Sequence, residues 1–135
     1  MKNGYVVGGI AGAIAGVADG IVSYIVSIVG GKIGLWTDYD PITLVMQFHV
    51  QTAINVTFGI FFGFAFVLVY NSIPRQGIVK GIIYGLVFYL LLSNLRAATF
   101  SFMFGFSEAA LSWTIHSIFA SVAYGSVLGY LYKKE

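Results

Sequence analysis

The chain contains no cysteine. That excludes disulfides, thiolate-bound metals, iron–sulfur clusters and covalently attached haem. Charge is almost as scarce. Seven Lys and Arg and five Asp and Glu make 9% of the 135 residues charged, where a soluble domain carries about a quarter. So few charges cannot cover a water-facing surface, and a net charge of +2 gives no basis for binding nucleic acid. There is no P-loop, dinucleotide-binding fingerprint or His-Glu-x-x-His motif. No serine stands at a suggestive spacing from a His and an acid, so a non-catalytic protein is expected.

Long apolar runs take the place of charge. Residues are 59% hydrophobic and mean hydropathy is +0.89. The runs exceed the roughly 20 residues needed to cross a hydrocarbon core. The expectation is an all-α integral membrane protein in the cell membrane, a single polytopic domain over 1–135, with four spans at about 5–29, 41–70, 78–104 and 108–132. Met1-Lys2 before an apolar run also resembles the start of a signal peptide; the first run is read as a retained span. Gly30-Gly31-Lys32 ends it. Asp40-Pro41 opens the second helix as N-cap and first helical residue, and Pro74 breaks the chain before the third. Phe100, Phe102, Phe104 and Phe106 alternate with a period of two; the third span is still read as helix to its end, with an irregular or interfacial end as the alternative. Ser107 can cap the fourth helix, with Glu108 in its first turn favoured by the helix dipole.

Lys2, Arg75, Lys80, Lys133 and Lys134 fall on one side of these spans, and Lys32 on the other. The positive-inside rule then places both termini in the cytoplasm. Trp36, Tyr39 and Trp113 fit an outer aromatic belt; Tyr5, Tyr70, Tyr130 and Tyr132 fit an inner one.

The two halves look alike, each a helical hairpin, so a four-helix bundle of two similar hairpins is expected, a parallel repeat. His49 is followed by Ala53, Gly59 and Gly63; His116 is followed by Ala120, Gly125 and Gly129, with one residue of slip. Glycines recur every fourth residue at Gly8, Gly12, Gly16 and Gly20 and at Gly77, Gly81 and Gly85. That spacing lets helix backbones approach closely in lipid. It predicts a tight inner half and a pocket opening outward, although glycines at this spacing also serve ordinary packing or dimerisation.

Four ionisable residues interrupt the apolar runs: Asp19, His49, Arg96 and His116. Such residues face the bundle interior and pair. Asp19 and Arg96 form the expected ion pair, either a structural bridge between hairpins or an anchor for an anionic group. Two neutral imidazoles on the second and fourth helices can ligate a haem iron from both faces, with Ala53 and Ala120 leaving room for the macrocycle and Arg96 offsetting a propionate. The plainer reading makes each His a hydrogen-bonded core or interfacial residue. Zinc lacks a full ligand set.

The leading expectation is therefore a membrane subunit of an electron-transfer assembly that holds b-type haem or lines a quinone site. The alternatives are an accessory subunit of a larger membrane complex, or a small proton or solute transporter. Lipid is the expected surrounding partner, together with other membrane subunits or further copies of the chain.

Overall fold

A computed structural model describes residues 2–35, 41–92, 94–95 and 109–132, and no β-strand occurs among them. Helix α1 covers Lys2–Lys32 and α2 covers Pro41–Val69. Helix α3 covers Gly77–Leu92; it is α-helical over Gly77–Tyr84 and π-wound over Gly85–Tyr89. Helix α4 covers Ala109–Leu131. Asn3–Lys32, Phe48–Ser72 and Thr114–Leu131 are each long and apolar enough to cross a membrane, and Gly77–Leu92 is shorter. Several expectations fall outside the described residues: the 36–40 connection, the phenylalanine alternation, the Ser107 cap, the Lys133-Lys134 tail and Arg96.

The outer surface is that of a membrane protein. Val6, Ile10, Ile14, Ile21, Ile25 and Val29 form an exposed stripe along α1, and Phe58, Phe61, Phe64 and Leu68 stand exposed on α2. Contiguous apolar surface of this extent is rare on a soluble monomer.

The interior is organised by glycine. Gly12 of α1 lies on the backbone of Gly59 and Gly63 of α2, and Gly16 lies on Asn55 and Val56. The second pair of helices repeats part of this pattern. Gly81 of α3 lies on Gly125 and Gly129 of α4, and Gly85 lies on Ser121; Gly63 against Gly8 is matched by Gly129 against Gly77. Backbones that approach with no side chains between them can make Cα–H···O contacts, worth about 0.5–1 kcal/mol each. Helix α1 also packs along α4.

Helices α2 and α3 are joined by rings instead. Phe62 packs edge-on against Tyr89 and Phe66 against Tyr84, with centroids 5.1 and 4.9 Å apart. Phe66 also meets Tyr70 and Tyr132, so the half of the molecule at the α2–α3 turn is filled by aromatic side chains.

The α2–α3 turn follows from local chemistry. A 3-10 turn over Tyr70–Ser72 closes α2, and Ile73 is extended (φ −90°, ψ 126°), the conformation a following proline imposes. Lys80, expected only as a topology signal, is buried at 6% exposure. Its Nζ donates to the Tyr70 carbonyl at 2.7 Å and stands 3.9 Å over the Tyr70 ring. A cation at the C-terminal end of α2 is where the helix dipole favours one.

Candidate functional site: a buried polar line along α1

Asp19, Ser23 and Ser27 recur every fourth residue and so share one face of α1. Asp19 is 3% exposed, about 20 Å along the helix from Lys32 and about 26 Å from Lys2. A carboxylate that deep must be hydrogen-bonded to be tolerable, and it is. Ser23 Oγ donates to Asp19 Oδ1 at 3.0 Å, and the Tyr89 hydroxyl of α3 donates to Asp19 Oδ2.

One turn further toward Lys32 the line continues. Ser27 Oγ donates to the Ser23 carbonyl at 2.9 Å and lies 2.9 Å from His116 Nε2 of α4. A serine hydroxyl has one proton. With that proton on the Ser23 carbonyl, Ser27 Oγ accepts from His116, which assigns the proton to Nε2. Asp19, Tyr89, Ser23, Ser27 and His116 thus connect three helices over about 12 Å of depth.

The π-wound segment positions Tyr89. Leu90 N–H bonds to the Gly85 carbonyl, five residues back, and Gly85 N–H is shared between the Gly81 and Ile82 carbonyls. A single wide turn of this kind shifts all later side chains around the helix, and such turns occur frequently at functional sites. Tyr89, its last residue, points at Asp19. The Tyr89 ring lies flat on that of Tyr124, with centroids 4.4 Å apart and planes 6° apart.

More polar groups surround the line. Asn55 is 3% exposed and accepts from Gln51 Nε2 at 3.0 Å. Ser117 and Ser121 of α4 are buried. The hydroxyls of Ser121 and Thr52 are buried with no hydrogen-bond partner among the described residues, a state costing about 1–3 kcal/mol each.

The residues singled out from the sequence separate into two groups. Asp19 and His116 belong to the line, and Ala120 is buried beside it. His49 and Ala53 lie on the exposed face of α2, with His49 beside the ring of Phe48, centroids 5.6 Å apart. Depth is not what separates them. Phe48 meets Tyr24 at 5.0 Å, so His49 lies level with the serines of α1. Rotation separates them: α2 carries His49 outward while α4 carries His116 toward α1, and the two imidazoles do not flank one interior chamber. Arg96, the expected partner of Asp19, is outside the described residues. Among the described residues no group of three or more His, Asp or Glu gathers as a metal site.

Ser23, Ser27 and Tyr89 were not anticipated. The two serines were legible as an Asp-x-x-x-Ser-x-x-x-Ser row on one helical face. Tyr89 continues the every-fourth row of Gly77, Gly81 and Gly85, a signal that spacing carried but that a tyrosine in an apolar run does not single out. Comparison of the chain with protein-family models, curated proteins and solved structures finds no match.

Proposed function

We propose that the chain is a four-helix transmembrane bundle of two similar hairpins, spanning the cell membrane with both termini cytoplasmic, and that it conducts protons through the polar line centred on Asp19. The observation that carries this reading is the buried Asp19 carboxyl near mid-helix, held by Tyr89 and Ser23 and followed outward by Ser27 and His116. Intramembrane ionisable residues joined by hydrogen bonds are the material of proton relays. The duplicated glycine contacts support the two-hairpin plan, and the basic residues at the Arg75–Lys80 turn support a cytoplasmic inner end. The redox reading, with haem between His49 and His116, draws no support from an α2 that turns His49 outward.

Proteoliposomes test the proposal. Purified protein is reconstituted with an internal pH dye, and a potassium diffusion potential drives proton entry. Flux above that of empty vesicles is expected, falling about tenfold or more in Asp19→Asn, a change of at least about 1.4 kcal/mol in the barrier. His116→Ala is expected to lower it as well. An Asp19→Asn protein that conducts like wild type would overturn the reading.

A further inference from the structure

Two buried hydroxyls stand outside the polar line. Ser121 of α4 is 0% exposed, and neither its Oγ nor the buried Oγ1 of Thr52 on α2 has a hydrogen-bond partner among the described residues. The chain satisfies other helical hydroxyls in a simple way. Ser27, Thr57 and Ser126 each fold back onto the carbonyl four residues earlier, at 2.9, 2.9 and 2.7 Å. Thr52 and Ser121 also lie inside continuous helices, so the same bond is available to them, and neither makes it. A buried hydroxyl left unbonded costs about 1–3 kcal/mol. Valine or alanine would fill nearly the same space without that cost, so packing alone does not ask for these two hydroxyls.

Both lie close to the level of Asp19. Helix α2 runs antiparallel to α1: Tyr24 meets Phe48, Gly20 meets Thr52 and Gly16 meets Asn55. A Cβ on Gly20, the neighbour of Asp19, would stand 2.4 Å from Thr52 Oγ1 itself. Helix α4 is also antiparallel to α1, running from His116 beside Ser27 to Tyr132 over Gly4. Counted from the Ser27–His116 contact, Ser121 lies about 7.5 Å along, between Ser23 at about 6 Å and Asp19 at about 12 Å. The Ser121 carbonyl packs on Gly85, one turn before Tyr89, whose hydroxyl reaches Asp19. All four helices therefore bring an oxygen to within about one turn of one level: Asp19 and Ser23 from α1, Thr52 from α2, Tyr89 from α3 and Ser121 from α4.

This set suits a hard, singly charged cation. Carboxylate and hydroxyl oxygens favour ions of the sodium type over metals that seek sulfur or imidazole. One carboxylate among neutral hydroxyls matches one positive charge, and among the described residues no group of three or more His, Asp or Glu could hold a more highly charged metal. A carboxylate has about four lone-pair sites, of which Ser23 and Tyr89 take two. Backbone contact along the glycine seams keeps the space between the helices small, which favours sodium over potassium.

We infer that a sodium ion binds between the four helices at the level of Asp19, with the Asp19 carboxylate as its charged ligand and the hydroxyls of Thr52 and Ser121 among its neutral ones. The inference rests on the proposed reading of Asp19 as a carboxyl that exchanges its proton. Sodium enters as the proton leaves: one O–H bond breaks, the carboxylate passes from one cation to the other, and the net charge of the site is unchanged. Sodium and protons thus compete for one group, and sodium slows proton conduction.

Binding is tested on the purified full chain in detergent, with sodium, potassium and choline chlorides at equal ionic strength. Sodium is expected to raise the melting temperature by about 5 °C or more over choline, and potassium by much less. Adding sodium to a weakly buffered sample is expected to release protons. Both responses should vanish in Asp19→Asn. Thr52→Val and Ser121→Ala are each expected to weaken the apparent sodium affinity about tenfold, yet to melt no lower than wild type in choline, because each removes an unbonded hydroxyl. Equal melting of the unmodified protein in all three salts, as when water alone meets the two hydroxyls, would overturn the site. So would a sodium response that survives in Asp19→Asn or is undiminished in both hydroxyl variants. In proteoliposomes, sodium is expected to lower proton flux. Proton flux without any sodium response would overturn the site and leave conduction standing. A sodium response in a protein that conducts no protons would overturn conduction and leave the site standing.

Discussion

Gly12 rests on the carbonyl of Gly59: a Cβ at Gly12 would stand 2.0 Å from that oxygen, and one at Gly81 would stand 2.0 Å from the oxygen of Gly125. Backbone cannot swing aside as a flexible side chain can, so the helices must part. Gly12→Ala and Gly81→Ala are expected to destabilise the protein by at least the roughly 1–3 kcal/mol of ordinary overpacking, with leucine worse at either site. Gly4→Ala, whose Cβ would meet only the Tyr132 hydroxyl at 3.5 Å, is the matched control and should be neutral. Thermal unfolding in detergent reads all three.

The seam was legible because spacing alone carries it. Glycine at every fourth position marks one face of a helix, and the partner glycines at 59, 63, 125 and 129 mark the faces that receive it. Asp19 was legible for a similar reason, since a lone acid in an apolar run has few places to go but inward. The histidine pair differs in rotation: His49 is exposed and His116 is bonded to Ser27. His49 stands ten residues before Gly59 and His116 nine before Gly125, so the two patterns differ by one residue. One residue is about 100° around a helix, enough to send His49 to the outside and His116 to the inside at nearly the same level. Tyr89 falls four residues after Gly85, in step with the glycine row, but nothing in the residue type marks it as the partner of Asp19.

Tyr89→Phe isolates one hydrogen bond. The ring and its stack on Tyr124 remain, and the donor to Asp19 Oδ2 is lost. Hydrogen bonds between membrane helices average about 0.6 kcal/mol and reach about 1.7. A carboxylate acceptor places this one toward the upper figure, so a loss of about 1–2 kcal/mol is expected in denaturant unfolding. Tyr124→Phe should cost less, because the Gly59 carbonyl lies within a continuous helix and keeps its backbone partner. Equal losses would contradict the special standing of Asp19.

Lys80 is expected to be structural. Its ammonium bonds to the Tyr70 carbonyl and stands over the Tyr70 ring. Hydrogen bonds from charged groups contribute about 1.5–3 kcal/mol, less the cost of burying the charge. Lys80→Met keeps the packing volume and removes both interactions, so a net loss of about 1–2 kcal/mol is expected. It should appear as a lower melting temperature with proton flux per folded molecule unchanged. A stability gain would mean that desolvation outweighs the bond to the helix end.

The two histidines should behave differently, and the difference discriminates between conduction and haem ligation. His49 is exposed and makes its ring contact with neighbouring Phe48. Replacing it with alanine should shift stability by no more than about 0.5 kcal/mol, as at ordinary surface positions, and leave flux intact. His116 is bonded to Ser27 across the α1–α4 contact, so His116→Ala removes that cross-helix bond, leaves Ser27 on the Ser23 carbonyl, and cuts the His116 end of the line. Stability should fall by about 1 kcal/mol and flux with it. A haem held between the two imidazoles demands the opposite symmetry: a preparation from haem-replete cells would show a Soret band sharpened by dithionite, abolished equally by either alanine. The outward turn of His49 leads us to expect neither the band nor the equality, and a visible spectrum of the purified protein with each variant decides it.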